Sequence, residues 1–173
     1  MRAKTIESAE VEVFVGLRVT DRVAITAYRT LTERLGYGGI MTTLARRTYF
    51  RFAVAGSENE ALNYIHDLAK QTTVIANPTK ETYSAALVKR PLYEDGRKVA
   101  LVYARDGLYD EGFLRRVSWE LGYDRVIGAG TGTAWLITLA PGVDESYAEE
   151  ILVTRERTKG LLLNPHAETY EWA

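Results

Sequence analysis

The strongest constraint on this chain is a phrase that occurs twice. Residues 75–83 read Ile-Ala-Asn-Pro-Thr-Lys-Glu-Thr-Tyr and residues 162–170 read Leu-Leu-Asn-Pro-His-Ala-Glu-Thr-Tyr, so both carry apolar-Asn-Pro-x-x-Glu-Thr-Tyr. An earlier landmark recurs in the same order: Leu35-Gly36-Tyr37 returns as Leu121-Gly122-Tyr123, 86 residues on, and the Asn-Pro pair returns after 87. Two landmarks at nearly one offset mark a duplicated module, which reduces the fold problem to one unit of about 80 residues. Any function must then be argued for a pair.

A module of that size buries only about 60% of its extended-chain surface, so each copy is expected to lean on the other or on a partner. The chain of 173 residues is 46% hydrophobic and 26% charged, a globular rather than a disordered composition. It has no apolar run near the roughly 20 residues of a membrane helix. The basic start, Met1-Arg2-Ala3-Lys4, has no apolar stretch behind it, so no secretory signal is expected and the expected compartment is the cytoplasm. With 22 basic and 23 acidic residues the net charge is −1, which argues against nucleic acid as a partner. There is no cysteine, and so no disulfide, thiolate metal site or cysteine nucleophile.

Within the first copy, residues 11–18 are β-branched and nearly all apolar, the pattern of a strand covered on both faces. Thr20-Asp21 offers N-cap chemistry to a helix running to Leu35, with Ala24, Tyr28, Leu31 and Leu35 on one face, and Gly36 ends it. Residues 40–44 and 48–54 predict two strands of a hairpin with Arg46-Arg47 near its turn. Ser57 and Glu60 form a capping box for a second helix over 58–74, Pro78 forbids its continuation, and a strand over 81–88 leads into a polar linker, 89–96. The second copy repeats this order: strand 98–104, helix 109–121, strands around Val126 and over 134–139, a helix from 144 to about 159, and strand 168–172.

Each copy therefore reads β-α-β-β-α-β, the ferredoxin-like order, with an antiparallel sheet and both helices on one face. The expected fold class is α+β, with tandem modules over 10–88 and 97–173. The predicted strands are apolar on both faces, so the side that the helices leave bare needs a cover. The sister module supplies it as an intrachain pseudo-dimer, or a second copy of the chain does so as a homo-oligomer.

The residues that could carry chemistry are few. Gly128-Ala129-Gly130-Thr131-Gly132-Thr133 has the look of a phosphate loop but joins strand to strand, so no helix start gathers its amides and a flexible hairpin is the preferred reading. His66 and His166 are not repeat equivalents, and neither a metal site nor a cofactor is expected. Glu33, Arg34, Arg115, Arg116 and Glu120 read as solvated helix charges. Arg46, Arg47 and Arg51 cluster beside Tyr49, where guanidinium forks could grip a carboxylate or phosphate of a partner or substrate, set against a plain solvated hairpin. In the repeated corners, Asn77 and Asn164 are expected to cap a helix C-terminus, Pro78 and Pro165 to break it, and Tyr83 and Tyr170 to anchor the following strand.

Leu-Gly-Tyr closing the first helix and apolar-Asn-Pro-x-x-Glu-x-Tyr closing the second resemble PurS, the small subunit of phosphoribosylformylglycinamidine synthase, over both halves of the chain. The family's second strand usually leads into a Gly-Lys pair; the matching positions here are Arg46-Arg47 and Gly132-Thr133, so the cation survives only as Arg47 and the glycine only as Gly132. The Asp-Pro entry common before the family's first helix is absent. The resemblance implies a subunit without catalytic residues, which bridges an ATP-dependent synthetase (PurL-like) and a glutaminase (PurQ-like) in de novo purine biosynthesis. The corner residues Asn77, Pro78, Tyr83, Asn164, Pro165 and Tyr170 would then lie at interfaces. A second class stays open: tandem ACT-like regulatory modules have the same element order and bind a small effector between them. Their glycine between first strand and first helix is missing from Arg18-Val19-Thr20-Asp21 and present once in Arg105-Asp106-Gly107.

Overall fold

A computed structural model describes residues 7–88, 97–153 and 161–172. The predicted linker, 89–96, lies outside them, as does most of the stretch expected to continue the last helix. The protein is α+β, with six strands and four helices among the described residues. In chain order these are β1 (Ser8–Leu17), α1 (Arg22–Arg29), β2 (Met41–Ala55), α2 (Glu58–Gln71), β3 (Glu81–Leu87), β4 (Lys98–Ala104), α3 (Glu111–Arg115), β5 (Val126–Leu139), α4 (Glu145–Leu152) and β6 (Glu168–Trp172). The strands form an antiparallel sheet in the order β3-β1-β2-β5-β4-β6.

Local chemistry accounts for the helix ends. The Asp21 carboxylate accepts from the amides of Val23 and Ala24, Asp110 from that of Phe113, and Asp144 from that of Tyr147. At α2 the Ser57 amide donates to the Glu60 carboxylate at 2.9 Å, as the capping box predicts, and the Ser57 hydroxyl donates to the same carboxylate at 2.8 Å. Helices α1 and α3 each run on into a single π-helical turn, Thr30–Arg34 and Arg116–Glu120, closed by Leu35 N–H to the Thr30 carbonyl and Leu121 N–H to the Arg116 carbonyl. Gly36 and Gly122 follow at φ 79° and 77°, the left-handed conformation that a side chain would strain.

The predicted hairpins do not form. Ala45-Arg46-Arg47 contains no turn-forming residue, and β2 runs unbroken through it for 15 residues. Residues 128–133 likewise lie inside β5. Their glycines answer to close packing rather than flexibility: a Cβ on Gly132 would sit 2.6 Å from the Val102 carbonyl oxygen, and one on Gly130 would collide with that of Leu108. Antiparallel pairing is bracketed by Ala55 N–H to the Arg125 carbonyl at one end of these long strands and Ala140 N–H to the Ile40 carbonyl at the other.

The compact units do not coincide with the sequence copies 10–88 and 97–173. One unit is built from the described residues of Met1–Arg18, Tyr49–Lys89 and Gly107–Thr131, the other from those of Val19–Thr48, Arg90–Asp106 and Gly132–Ala173. The long strands cause this: each passes its first part to one unit and its second part to the other. The first unit holds β1, α2, β3, the later part of β2, α3 and the early part of β5. Its core joins Val11, Val13 and Val15 to Phe50, Phe52, Ile65, Leu68 and Val117. Phe113, from the second sequence copy, packs 5.6 and 6.0 Å from Phe50 and Phe52 of the first. In the second unit Ala24, Ala27 and Leu31 of the first copy pack with Val102, Trp135, Ile137, Ile151 and Leu152 of the second.

The opposite face of each unit's sheet is buried too. Alternation along the strands puts Glu12, Phe14, Tyr49 and Arg51 there in the first unit and Val99, Leu101, Ala134 and Leu136 in the second, all under 9% exposed. Among the described residues no helix is long and apolar enough to cross a membrane.

Candidate functional site

The repeated phrase folds twice into the same corner. Asn77 N–H donates to the Glu81 carboxylate at 2.7 Å, and Asn164 N–H to Glu168 at 2.8 Å. The Asn side-chain oxygen accepts from the amide two residues on, Thr79 at 3.0 Å and His166 at 3.2 Å. The Glu amide closes the loop on the Asn carbonyl at 2.8 Å in both copies. The motif thus encodes an Asx turn in which Asn and Glu bind each other's backbone. The expected helix cap is corrected by this geometry, since α2 ends at Gln71 and Asn77 closes a turn instead. Pro78 sits exposed in that turn, and its carbonyl accepts from Arg18 Nε at 3.2 Å. Pro165 is the half-buried equivalent.

Tyr83 and Tyr170 are half-buried, each ring against its unit's core, as expected of an amphipathic anchor. Their hydroxyls reach back to a helix: Tyr83 lies 3.3 Å from His66 Nδ1, and Tyr170 donates to Glu149 at 2.8 Å.

The three arginines separate into three environments. Arg46 grips Asp21 side-on, Nε at 2.9 Å and Nη2 at 3.3 Å, and so ties β2 to the N-cap of α1. The Arg47 guanidinium donates to the Arg46 carbonyl at 3.1 Å. Arg51 belongs to a network that the sequence reading missed. It is 7% exposed and donates to the Tyr49 hydroxyl at 2.9 Å, with its guanidinium 5.6 Å from the Tyr49 ring, while Tyr49 donates to buried Glu12 at 3.2 Å. Burial raises the Tyr49 phenol well above its ordinary range; Arg51 pulls it down and Glu12 pushes it up. The signal was present in the sequence as one charge inside each of two apolar strands, Val11-Glu12-Val13 and Phe50-Arg51-Phe52. Charges there are retained only when paired.

In the second unit Arg46, Thr133, Trp135, Leu162, Asn164 and Glu168 line an open cavity of about 310 Å³. Arg46 and one corner thereby meet at one site, whereas Arg51 and the other corner do not share it. The side-on pairing to Asp21 uses Nε and Nη2 of the guanidinium. Among the described residues no group of three or more His, Asp or Glu could hold a metal ion. Comparison of the chain with family models, with curated proteins and with solved structures returned no match.

Proposed function

We propose that this chain is a non-catalytic assembly module whose work is done by surfaces rather than by reacting groups. More particularly, we read it as a duplicated PurS-like subunit that bridges the synthetase and glutaminase of a phosphoribosylformylglycinamidine synthase in the cytoplasm. The observation that carries the reading is the repeated corner: the residues that resemble PurS, Asn-Pro-x-x-Glu-Thr-Tyr, make the same three turn bonds 87 residues apart.

The content of each unit supports the finer fold reading as well. The first unit has strands in the order β3-β1-β2-β5 with α3 and α2, and the second β6-β4-β5-β2 with α1 and α4. Each set matches a four-stranded ferredoxin-like sheet with two helices, assembled by reciprocal exchange of a helix and a strand part between the copies. A lack of cysteine leaves glutamine hydrolysis to another chain.

The test is reconstitution. Adding this chain to purified synthetase and glutaminase subunits should raise glutamine-dependent synthesis, with less effect when ammonium supplies the nitrogen. Arg47→Ala should weaken assembly in sedimentation while Thr133→Ala leaves it unchanged. Full glutamine-dependent activity without the chain would remove the assembly role.

One observation favours a second reading, an ACT-like effector module: the Arg46 cavity, where a cation, a carboxamide and a carboxylate converge. Under that reading free amino acids should bind the isolated chain in calorimetry, and Arg46→Ala should abolish the signal. Absence of binding would leave the assembly role alone.

A further inference from the structure

The side of the first unit formed by α3, its π-helical turn and the start of β5 carries an exposed apolar groove. A cavity of about 760 Å³ lies over Leu114, Trp119 and Ile127, and a neighbouring one of about 450 Å³ shares Leu114 and Ile127 and extends to Tyr109. Trp119 is 84% exposed, Ile127 50% and Tyr109 47%, so large apolar side chains gather in one exposed place. The duplication offers a control: the repeat equivalent of Trp119 is Glu33, so the aromatic anchor is present in one copy only. Core packing does not require it, because Val117 and Phe113 fill the buried side of the same helix.

The rim decides what can sit there. Asp110, Glu111 and Asp124 line the groove against the single cation Arg115. A second copy docked face to face would set these carboxylates against themselves, which disfavours self-association. We propose that this groove docks a segment of another protein that carries an aliphatic or aromatic anchor flanked by lysine or arginine, with Trp119 as the central contact. Exposed tryptophans ringed by polar groups are the residues that most often dominate such contacts, and the acidic rim steers a basic partner and sets its orientation. The inference stands on the groove alone and does not depend on the identity proposed above.

The test uses the whole chain and a short amphipathic peptide helix of leucine and lysine, with a leucine and glutamate peptide as control. In calorimetry at low salt the lysine peptide should bind and the glutamate peptide should not, and added salt should weaken the binding. Trp119→Ala should lower the affinity about thirtyfold, the loss carried by a central hot spot. Glu111→Gln should weaken the lysine peptide while a cooperative thermal melt shows that the fold is kept. Failure of the lysine peptide to bind, equal binding of the glutamate peptide, or full affinity in Trp119→Ala would overturn the proposal. So would concentration-dependent self-association that Trp119→Ala relieves, since the occupant would then be a second copy.

Discussion

Glu81 and Glu168 do the same work one repeat apart: each carboxylate accepts the amide of the Asn four residues before it and so locks the turn that aims the last strand. A hydrogen bond to a charged group contributes about 1.5–3 kcal/mol, so Glu81→Ala should lower stability by roughly that amount in a denaturant titration, and Glu168→Ala should resemble it. The buried Glu12, Tyr49 and Arg51 network has another character, since the Tyr49 hydroxyl bonds to both charged groups. Tyr49→Phe removes that hydroxyl from between two buried charges and should cost about 1–3 kcal/mol. Tyr109 is one of several tyrosines, with Tyr49, Tyr64 and Tyr123, whose raised phenols bear on stability at alkaline pH. Its phenol is pushed up from 10.0 to about 12, first by burial and then by the hydrogen bond and charge of Glu10. A raised folded value means that the native state keeps the proton longer than the unfolded one. The contribution is complete below pH 10.0 and is lost as pH climbs to about 12, so Tyr109→Phe should flatten part of that slope in melts taken across the window.

Among the elements, the long strands β2 and β5 decide most. Each replaces two expected short strands, and the small residues of β5 let other backbone approach it closely. Gly130→Ala should therefore be far more damaging than a surface change: its new methyl meets the Leu108 carbonyl, and overpacking of this kind costs about 1–3 kcal/mol. Gly36→Ala meets open space but a positive φ, and should cost about 1–2 kcal/mol. Comparing the two melting temperatures separates crowding from backbone strain.

For the whole molecule, the interleaved units predict how the chain tolerates being cut. A fragment ending at Val88 lacks α3 and the start of β5 from the first unit, and a fragment beginning at Arg97 lacks α1 and the start of β2 from the second. Neither should fold cooperatively alone, while an equimolar mixture should recover the circular dichroism and a single melt. A fragment that melts cooperatively as a monomer would contradict the interleaving. The repeated phrase, the helix N-caps and the outer strands were legible because each depends on residues close in sequence, whereas the corners were legible as helix breaks and not as Asx turns. Asp21, Ser57 with Glu60, and Asn77 with Glu81 meet their partners within four positions. Three things were settled only by tertiary structure: the continuity of β2 through Arg46-Arg47, the allocation of α1 and α3 to the unit of the other copy, and the joining of Glu12 and Arg51 through the Tyr49 hydroxyl. Those choices turn on which distant surface a strand or helix buries. Residues 37 positions apart, such as Glu12 and Tyr49, are brought together by strand pairing and not by local preference.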